Sequence, residues 1–258
     1  MPEGDTIHRA ADRIRKAFEG RAPERILTPQ PRHRLDRWPK KLAGRTLSSV
    51  DAHGKHLFLR FEGGLTLHSH LRLTGSWAVR EEGAASRRSM RHAWLVLGGG
   101  GWEAIEYDGP VLELMSDARA RTDPRLAGLG PDVIGEGFDE RMFLTRLRED
   151  DPTRPVGDAL LNQRTVAGIG NMWKAECCWA ARLDPWRETS AVEDEQVLAA
   201  VAFAREEMTR SAHDGTYTRP HAVYRQAGRP CPRCGRRIRQ RGQWEHNRIT
   251  FWCPGCQV

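Results

Sequence analysis

Residues Leu57–Leu71 read LFLRFEGGLTLHSHL, and their alternation sets the fold class. Leu57, Leu59 and Phe61 take every second position, Gly63-Gly64 interrupts, and Leu65, Leu67, Ser69 and Leu71 resume the pattern. A period of two puts successive side chains on opposite faces of a strand, and a Gly-Gly pair supplies turn residues, so the stretch predicts an antiparallel hairpin. Working outward, Trp94–Leu97 and Trp102–Glu106 flank a run of four glycines at 98–101 and predict a second hairpin. Residues 46–112 are therefore expected to be antiparallel β structure, as a sandwich. No long helical patterns alternate with these strands, which argues against a Rossmann-type sheet.

Helical periodicity lies on either side. Ile7, Ala11, Ile14 and Phe18 recur at three- and four-residue spacing and predict a helix over 5–19. Asp5 or Thr6 can cap its start and Gly20 its end. After Gly130-Pro131, helices are predicted over 138–149, 154–162, 173–181 and roughly 192–211. The last stretch predicts a short hairpin with Ile238-Arg-Gln and Ile249-Thr-Phe-Trp as arms. The class is α+β, with expected domains 1–130, 131–220 and 221–258.

Composition narrows the function. The chain has 258 residues, 39% hydrophobic and 29% charged, with a net charge of +7. No run of 18 apolar residues exists to span a membrane, and no basic-then-apolar signal opens the chain, so a cytoplasmic protein is expected. A pI near 9.4 suits a polyanionic partner, nucleic acid being the commonest. The charge is concentrated: residues 219–258 hold nine arginines, no lysine and one acid, Glu245. Trp244, Phe251 and Trp252 in the same segment argue for an ordered module rather than a basic tail.

That segment also carries Cys231-Pro-Arg-Cys234 and Cys253-Pro-Gly-Cys256, eighteen residues apart. Two C-x-x-C knuckles at this spacing read as a tetrahedral four-cysteine zinc site. Two disulfides or a redox pair compete with that reading, and the expected reducing compartment disfavours them. Cys177 and Cys178 are adjacent on an apolar helix pattern and read as core.

Three further stretches carry chemistry. Met before Pro is ordinarily removed, which would leave Pro2 as a free secondary amine. A free α-amine has a pKa of roughly 7.7–8.0, so a neutral, nucleophilic fraction exists near neutral pH. Gly168-Ile-Gly170-Asn171 suggests a tight turn whose backbone amides could bind phosphate, or else an ordinary helix–helix turn. Lys55, in His53-Gly-Lys-His56, reads as a phosphate ligand, an amine nucleophile, or a solvated lysine at a strand end.

Taken in order, an N-terminal Pro-Glu-Gly, a strand Gly-Lys, a helical Leu-x-x-Gln-x-x-Val-Ala-Gly-Ile-Gly-Asn and a finger ending Cys-Pro-Gly-Cys-Gln resemble the formamidopyrimidine-DNA glycosylase/endonuclease VIII family over essentially the whole chain. The resemblance implies a β-sandwich flanked by helices, a helix–two-turn–helix domain and a four-cysteine zinc finger. It implies a bifunctional glycosylase and AP lyase, in which Pro2 is the nucleophile, Glu3 the adjacent acid that moves protons, and Lys55 a catalytic, phosphate-contacting lysine. His70 matches a position near the DNA backbone and Leu73 an apolar wedge that fills the gap left by an extruded base. Asn171 and the finger arginine Arg248 match phosphate ligands. The zinc, held by Cys231, Cys234, Cys253 and Cys256, is expected to be structural, with no organic cofactor, and one lesion per enzyme implies a monomer on damaged DNA.

Two departures bear on substrate. Endonuclease VIII-like members often follow Pro-Glu-Gly with Pro-Glu, where Asp5-Thr6 stand here. The branch that excises 8-oxoguanine carries Asp-Pro-Arg-Arg-Phe-Gly, and the nearest match is Asp123-Pro-Arg-Leu-Ala-Gly128, without the second Arg and the Phe. This and the opening Pro-Glu-Gly favour the endonuclease VIII-like branch and oxidised pyrimidines, with oxidised purines as the alternative. A damage-sensing zinc protein that does not cut would share the finger and the helical bend but has no need of the N-terminal amine. An RNA-binding zinc protein would explain the charge alone.

Overall fold

The computed structural model describes residues 2–33, 35–85, 88–215, 220–243 and 248–258. Met1, Trp244 and Glu245, named above, lie outside them. The chain divides into two compact units, one of Met1–Pro2 with Thr6–Ala127, the other of Glu3–Asp5 with Gly128–Val258.

Helix α1 (Gly4–Phe18) opens the fold one residue earlier than its apolar period predicts. Strands β1 (Arg25–Leu27), β6 (Ala93–Gly99), β7 (Trp102–Tyr107) and β5 (Ser76–Glu81) form one antiparallel sheet in the order β1-β6-β7-β5. Strands β2 (Leu47–His53), β3 (His56–Phe61), β4 (Leu65–His70) and β8 (Val111–Ser116) form the other, in the order β2-β3-β4-β8. The β3–β4 hairpin turns at Gly63 and Gly64, with φ of 80° and 74°, as the quoted stretch requires. Alternation then does its work. Leu57, Leu59, Phe61 and Leu67 point into a core with Leu95 and Leu97 of the other sheet and Ile7, Ala11, Ile14 and Phe18 of α1. Their neighbours His56, Phe58, His68 and His70 share the opposite face. Sequence periodicity did not predict β1, α2 (Trp38–Leu42), α3 (Asp117–Thr122) or α4 (Pro124–Ala127), each too short to show a period.

The second unit is helical: α5 (Glu140–Glu149), α6 (Val156–Ala159), α7 (Asn171–Ala180) and α8 (Asp194–Asp214). The helix expected over 154–162 is a four-residue turn, because Pro155 sits just ahead of it and only 156–159 close. Phe143, Leu147, Trp173, Cys177, Cys178, Val201 and Met208 form its core, so the adjacent cysteines are packing residues. The hairpin of β9 (Arg239–Gln243) and β10 (Arg248–Trp252) closes the chain. Its small core of Val223, Ile238, Phe251 and the cysteines packs with Ala175 and Trp179 of α7.

The predicted cap of α1 is corrected. Asp5 does not cap the helix: its carboxylate accepts from Ser211 Oγ at 2.6 Å. Thr6 is exposed in the first turn.

Candidate active site and metal centre

In the first unit, Lys55 occupies the two-residue turn between β2 and β3, beside Gly54 at φ 56°, rather than the strand start. His53 and His56 pair across that turn. Four histidines therefore gather on one face of the sheet. His56 Nδ1 lies 2.8 Å from His68 Nε2, and the rings of His56 and His70 are 4.6 Å apart. Burial pushes His56 down to about 2, with His70, His68, His53 and Arg125 adding to the effect. Burial, then Arg72, His68 and Lys55, pushes His70 down to about 4. Both are neutral imidazoles at neutral pH. His70 Nδ1 accepts the Arg72 amide at 3.2 Å, which leaves Nε2–H as its donor.

That bond shapes the turn after β4. Arg72 adopts a left-handed φ of 49°, and Leu73 stands 60% exposed. An apolar side chain held out on a tight turn is what a wedge requires. Arg72 shares the exposed tip, and sequence reasoning missed it, because nothing in the letters marks a non-glycine left-handed residue. Asp123-Pro-Arg125 does not offer a free arginine: it runs into α4, and the Arg125 guanidinium is held by Glu113 at 2.8 Å and Asp123 at 2.6 Å.

In the second unit, Glu3 is the organising residue. Its Oε2 accepts from Gly170 N at 2.9 Å and Trp173 N at 3.3 Å, and Oε1 from Met172 N at 2.9 Å. These are the unpaired donors at the α7 N-terminus, where the helix dipole favours an anion. Of the Gly168–Asn171 turn, Gly170 N is taken by a carboxylate of the chain itself and Gly168 N donates to Gln163 Oε1 at 3.0 Å, so neither amide stands open to a phosphate. Close approach explains two glycines here, Gly170 and Gly4. A Cβ on Gly170 would sit 2.2 Å from Glu3 Cδ, and one on Gly4 2.9 Å from Gly168 Cα. Gly4 N also donates to Gly168 O at 2.9 Å. Pro2, next in the chain to this anchor, is half-buried.

Asn171 begins α7, and its Nδ2 donates to Ile249 O at 2.9 Å. Arg248 is exposed at the start of β10. The four cysteines converge, their ligand atoms all within 4.8 Å of one another. Cys231 and Cys256 sulfurs are 3.8 Å apart, Cys234 and Cys253 3.4 Å. An ion with thiolate bonds of about 2.3 Å gives a tetrahedral edge of about 3.8 Å, so the site fits a metal. Trp179 Nε1 and Arg233 N each donate to Cys231 Sγ at 3.4 Å, as suits a thiolate. Not every finger arginine is free for a polyanion. Arg233 lies 4.1 Å over Trp179 and Arg241 3.9 Å over Trp186, bracing the hairpin instead.

Residues 1–109 match the formamidopyrimidine-DNA glycosylase N-terminal domain, and residues 129–220 the formamidopyrimidine-DNA glycosylase H2TH domain. The chain is 37% identical to the probable endonuclease 8 2 of Streptomyces coelicolor, covering 100% of this chain and 94% of that one. It is 35% identical to the DNA-(apurinic or apyrimidinic site) lyase Nei2 of Mycolicibacterium smegmatis, covering 100% and 99%. Among solved structures, the Lactococcus lactis Fpg bound to abasic-site DNA superposes with a TM-score of 0.83 at 26% identity, over 100% of both chains. The same Fpg bound to DNA containing an oxidised pyrimidine gives 0.83 at 26%, over 99% of both. No helix among the described residues is long and apolar enough to cross a membrane.

Proposed function

Because the chain belongs to the formamidopyrimidine-DNA glycosylase family and is a DNA glycosylase and AP lyase, we propose that it removes oxidised bases, mainly pyrimidines, through an iminium at Pro2 and then cleaves the strand by β,δ-elimination. The observation that carries this reading is the Glu3 anchor. Three backbone N–H donors hold the side chain of the residue next to Pro2, which supports a terminal amine restrained for attack.

The damaged nucleotide leaves the stack, because its C1′ is shielded in the duplex, and Leu73 fills the space. The neutral Pro2 nitrogen attacks C1′. The C1′–base bond breaks with its electron pair going to the base, which takes up a proton. The nitrogen then sheds its proton, and its lone pair forms the cationic iminium as the C1′–O4′ bond breaks and O4′ takes up a proton. That cation acidifies C2′–H, a base removes the proton, and the 3′-phosphate leaves. A second proton loss expels the 5′-phosphate, and water releases Pro2 from the sugar remnant. Glu3, a carboxylate accepting from three N–H groups beside Pro2, is the group assigned to move protons in these steps. Lys55, Asn171 and Arg248 grip phosphates, and His70 offers its Nε2–H as a neutral donor.

The four cysteines hold one structural zinc, since a tetrathiolate leaves no open position for chemistry. The protein acts as a cytoplasmic, nucleoid-associated monomer, with the sandwich, the helical domain and the finger as its three parts. Leu126 and Ala127, standing where the purine branch carries its void-filling Arg and Phe, support the pyrimidine branch.

Borohydride trapping tests the reading on duplexes holding an abasic site, oxidised thymine, oxidised cytosine or 8-oxoguanine. A chain that retains Met1, whose Pro2 nitrogen is an amide, is the control. Adducts with oxidised pyrimidines that vanish in the control are expected. Adducts mainly with 8-oxoguanine would reverse the substrate assignment. No adduct with any duplex would overturn the mechanism.

A further inference from the structure

Lys174 is the one lysine of α7, and no step above uses it. It stands three residues after Asn171, on the same helix face. Its side chain is fully buried, as are Thr250 and Gln243 beside it. Lys174 Nζ donates to Thr250 Oγ1 at 2.5 Å and lies 3.4 Å from Gln243 Oε1. Thr250 Oγ1 donates to the same Gln243 oxygen at 2.6 Å, and Gln243 Nε2 donates to Pro185 O at 2.6 Å. Asn171 joins the set through Ile249 O. In the hairpin register Gln243 stands directly opposite Arg248. The network therefore ties both strands of the hairpin to α7 next to the exposed arginine.

A buried ammonium with hydroxyl and amide partners is an expensive fastening. Burial pushes Lys174 down to about 8, against the opposing pull of Cys178, Asp158, Cys177 and Glu3. An apolar side chain of similar length would fill the space at less cost. What the ammonium adds is direction, since its donors aim at one hydroxyl and one amide oxygen on two strands.

Building on the reading of Asn171 and Arg248 as phosphate ligands, we propose that Lys174 is a positioning residue that locks the β9–β10 hairpin to α7, so that Arg248 and Asn171 are presented to DNA as one preset pair. The lock touches no phosphate itself.

The test compares Lys174→Met, Arg248→Ala and the double variant of the full, metal-loaded chain. Affinity for a duplex with a tetrahydrofuran abasic analogue is measured over a salt series, with metal content and hydrogen exchange of the β9–β10 amides. Losing one phosphate contact lowers the slope of log affinity against log salt by about 0.9. Arg248→Ala is expected to show that loss. Lys174→Met is expected to keep one metal per chain, to lose most of the same slope and roughly tenfold in affinity, and to exchange its hairpin amides faster. The double variant should bind no worse than Arg248→Ala, because both changes remove one function. Parent-like slope and exchange in Lys174→Met, or effects that add in full, would overturn the proposal. If Arg248→Ala changes nothing, the phosphate reading of Arg248 fails, and amide exchange alone then decides the lock. Should Lys174→Met lose its metal, Thr250→Val removes the ammonium's nearest acceptor without changing the helix and carries the same comparison.

Discussion

Gly170 is small because a carboxylate lies where its side chain would be. Gly170→Ala would put a methyl 2.2 Å from Glu3 Cδ and force the anchor off the α7 N-terminus. The trapping rate on oxidised-pyrimidine DNA is expected to fall about 10²-fold, the usual worth of a well-placed proton acceptor. Salt-dependent DNA affinity, set by other residues, should change little. A second residue acts on stability rather than rate. Glu106 is fully buried; Oε1 accepts from Ser69 Oγ at 2.6 Å, and Oε2 has no partner among the described residues. Burial pushes it up to about 8, the Ser69 bond opposing. Between its ordinary value and about 8 the folded chain holds a proton that the unfolded chain releases, so stability falls as pH rises through that window. Glu106→Gln removes this dependence and is expected to stabilise by about 1–3 kcal/mol at pH 7 and by little near pH 4.5. Urea midpoints of both chains at the two pH values check it.

At the scale of elements, β3 and β4 place Lys55 and His70 at the same end of one sheet, with His56 and His68 beneath. His56 and His70 are held neutral, so their ring proton resonances are expected to stay unchanged from pH 7.5 to about 5. The sign for stability follows. Below 6.5 the unfolded chain takes up protons that the folded rings refuse, so stability falls as pH drops from 6.5 toward about 4. The β9–β10 hairpin is expected to depend on a metal at the four cysteines, for among the described residues its own core is Val223, Ile238 and Phe251 with three of those cysteines. Chelation is expected to unfold it and to cut DNA affinity at least tenfold, while near-ultraviolet signals of the sandwich tryptophans persist. Metal analysis should give one zinc per chain.

Across the whole molecule, the residue that completes the second unit comes from the opposite end of the sequence: Glu3 and Gly170 are 167 positions apart. Glu3→Ala leaves three backbone N–H groups, two of them in buried bonds, without this acceptor and is expected to destabilise the second unit by about 2–5 kcal/mol. Faster hydrogen exchange at the Met172 and Trp173 amides reads it. Glu3→Gln keeps one carbonyl acceptor and should recover much of that stability without recovering activity, separating the anchor from the proton acceptor.

The sequence by itself determined the elements whose cause is local. Alternation in Leu57–Leu71 made the hairpin, the period of Ile7, Ala11, Ile14 and Phe18 made α1, and two Cys-x-x-Cys knuckles brought four sulfurs together. Each depends on neighbours a few residues away, or on a ligand geometry that spacing encodes. Tertiary structure decided what depends on partners distant in sequence. The Gly170, Met172 and Trp173 amides meet Glu3, Asp5 bonds Ser211 rather than capping its helix, and Arg125 is spent on Glu113 and Asp123. Lys174 is buried because β10 covers it, a burial set by a strand more than seventy residues away. A polar side chain's role is set by which donor or acceptor reaches it first, and that is fixed only when remote segments pack.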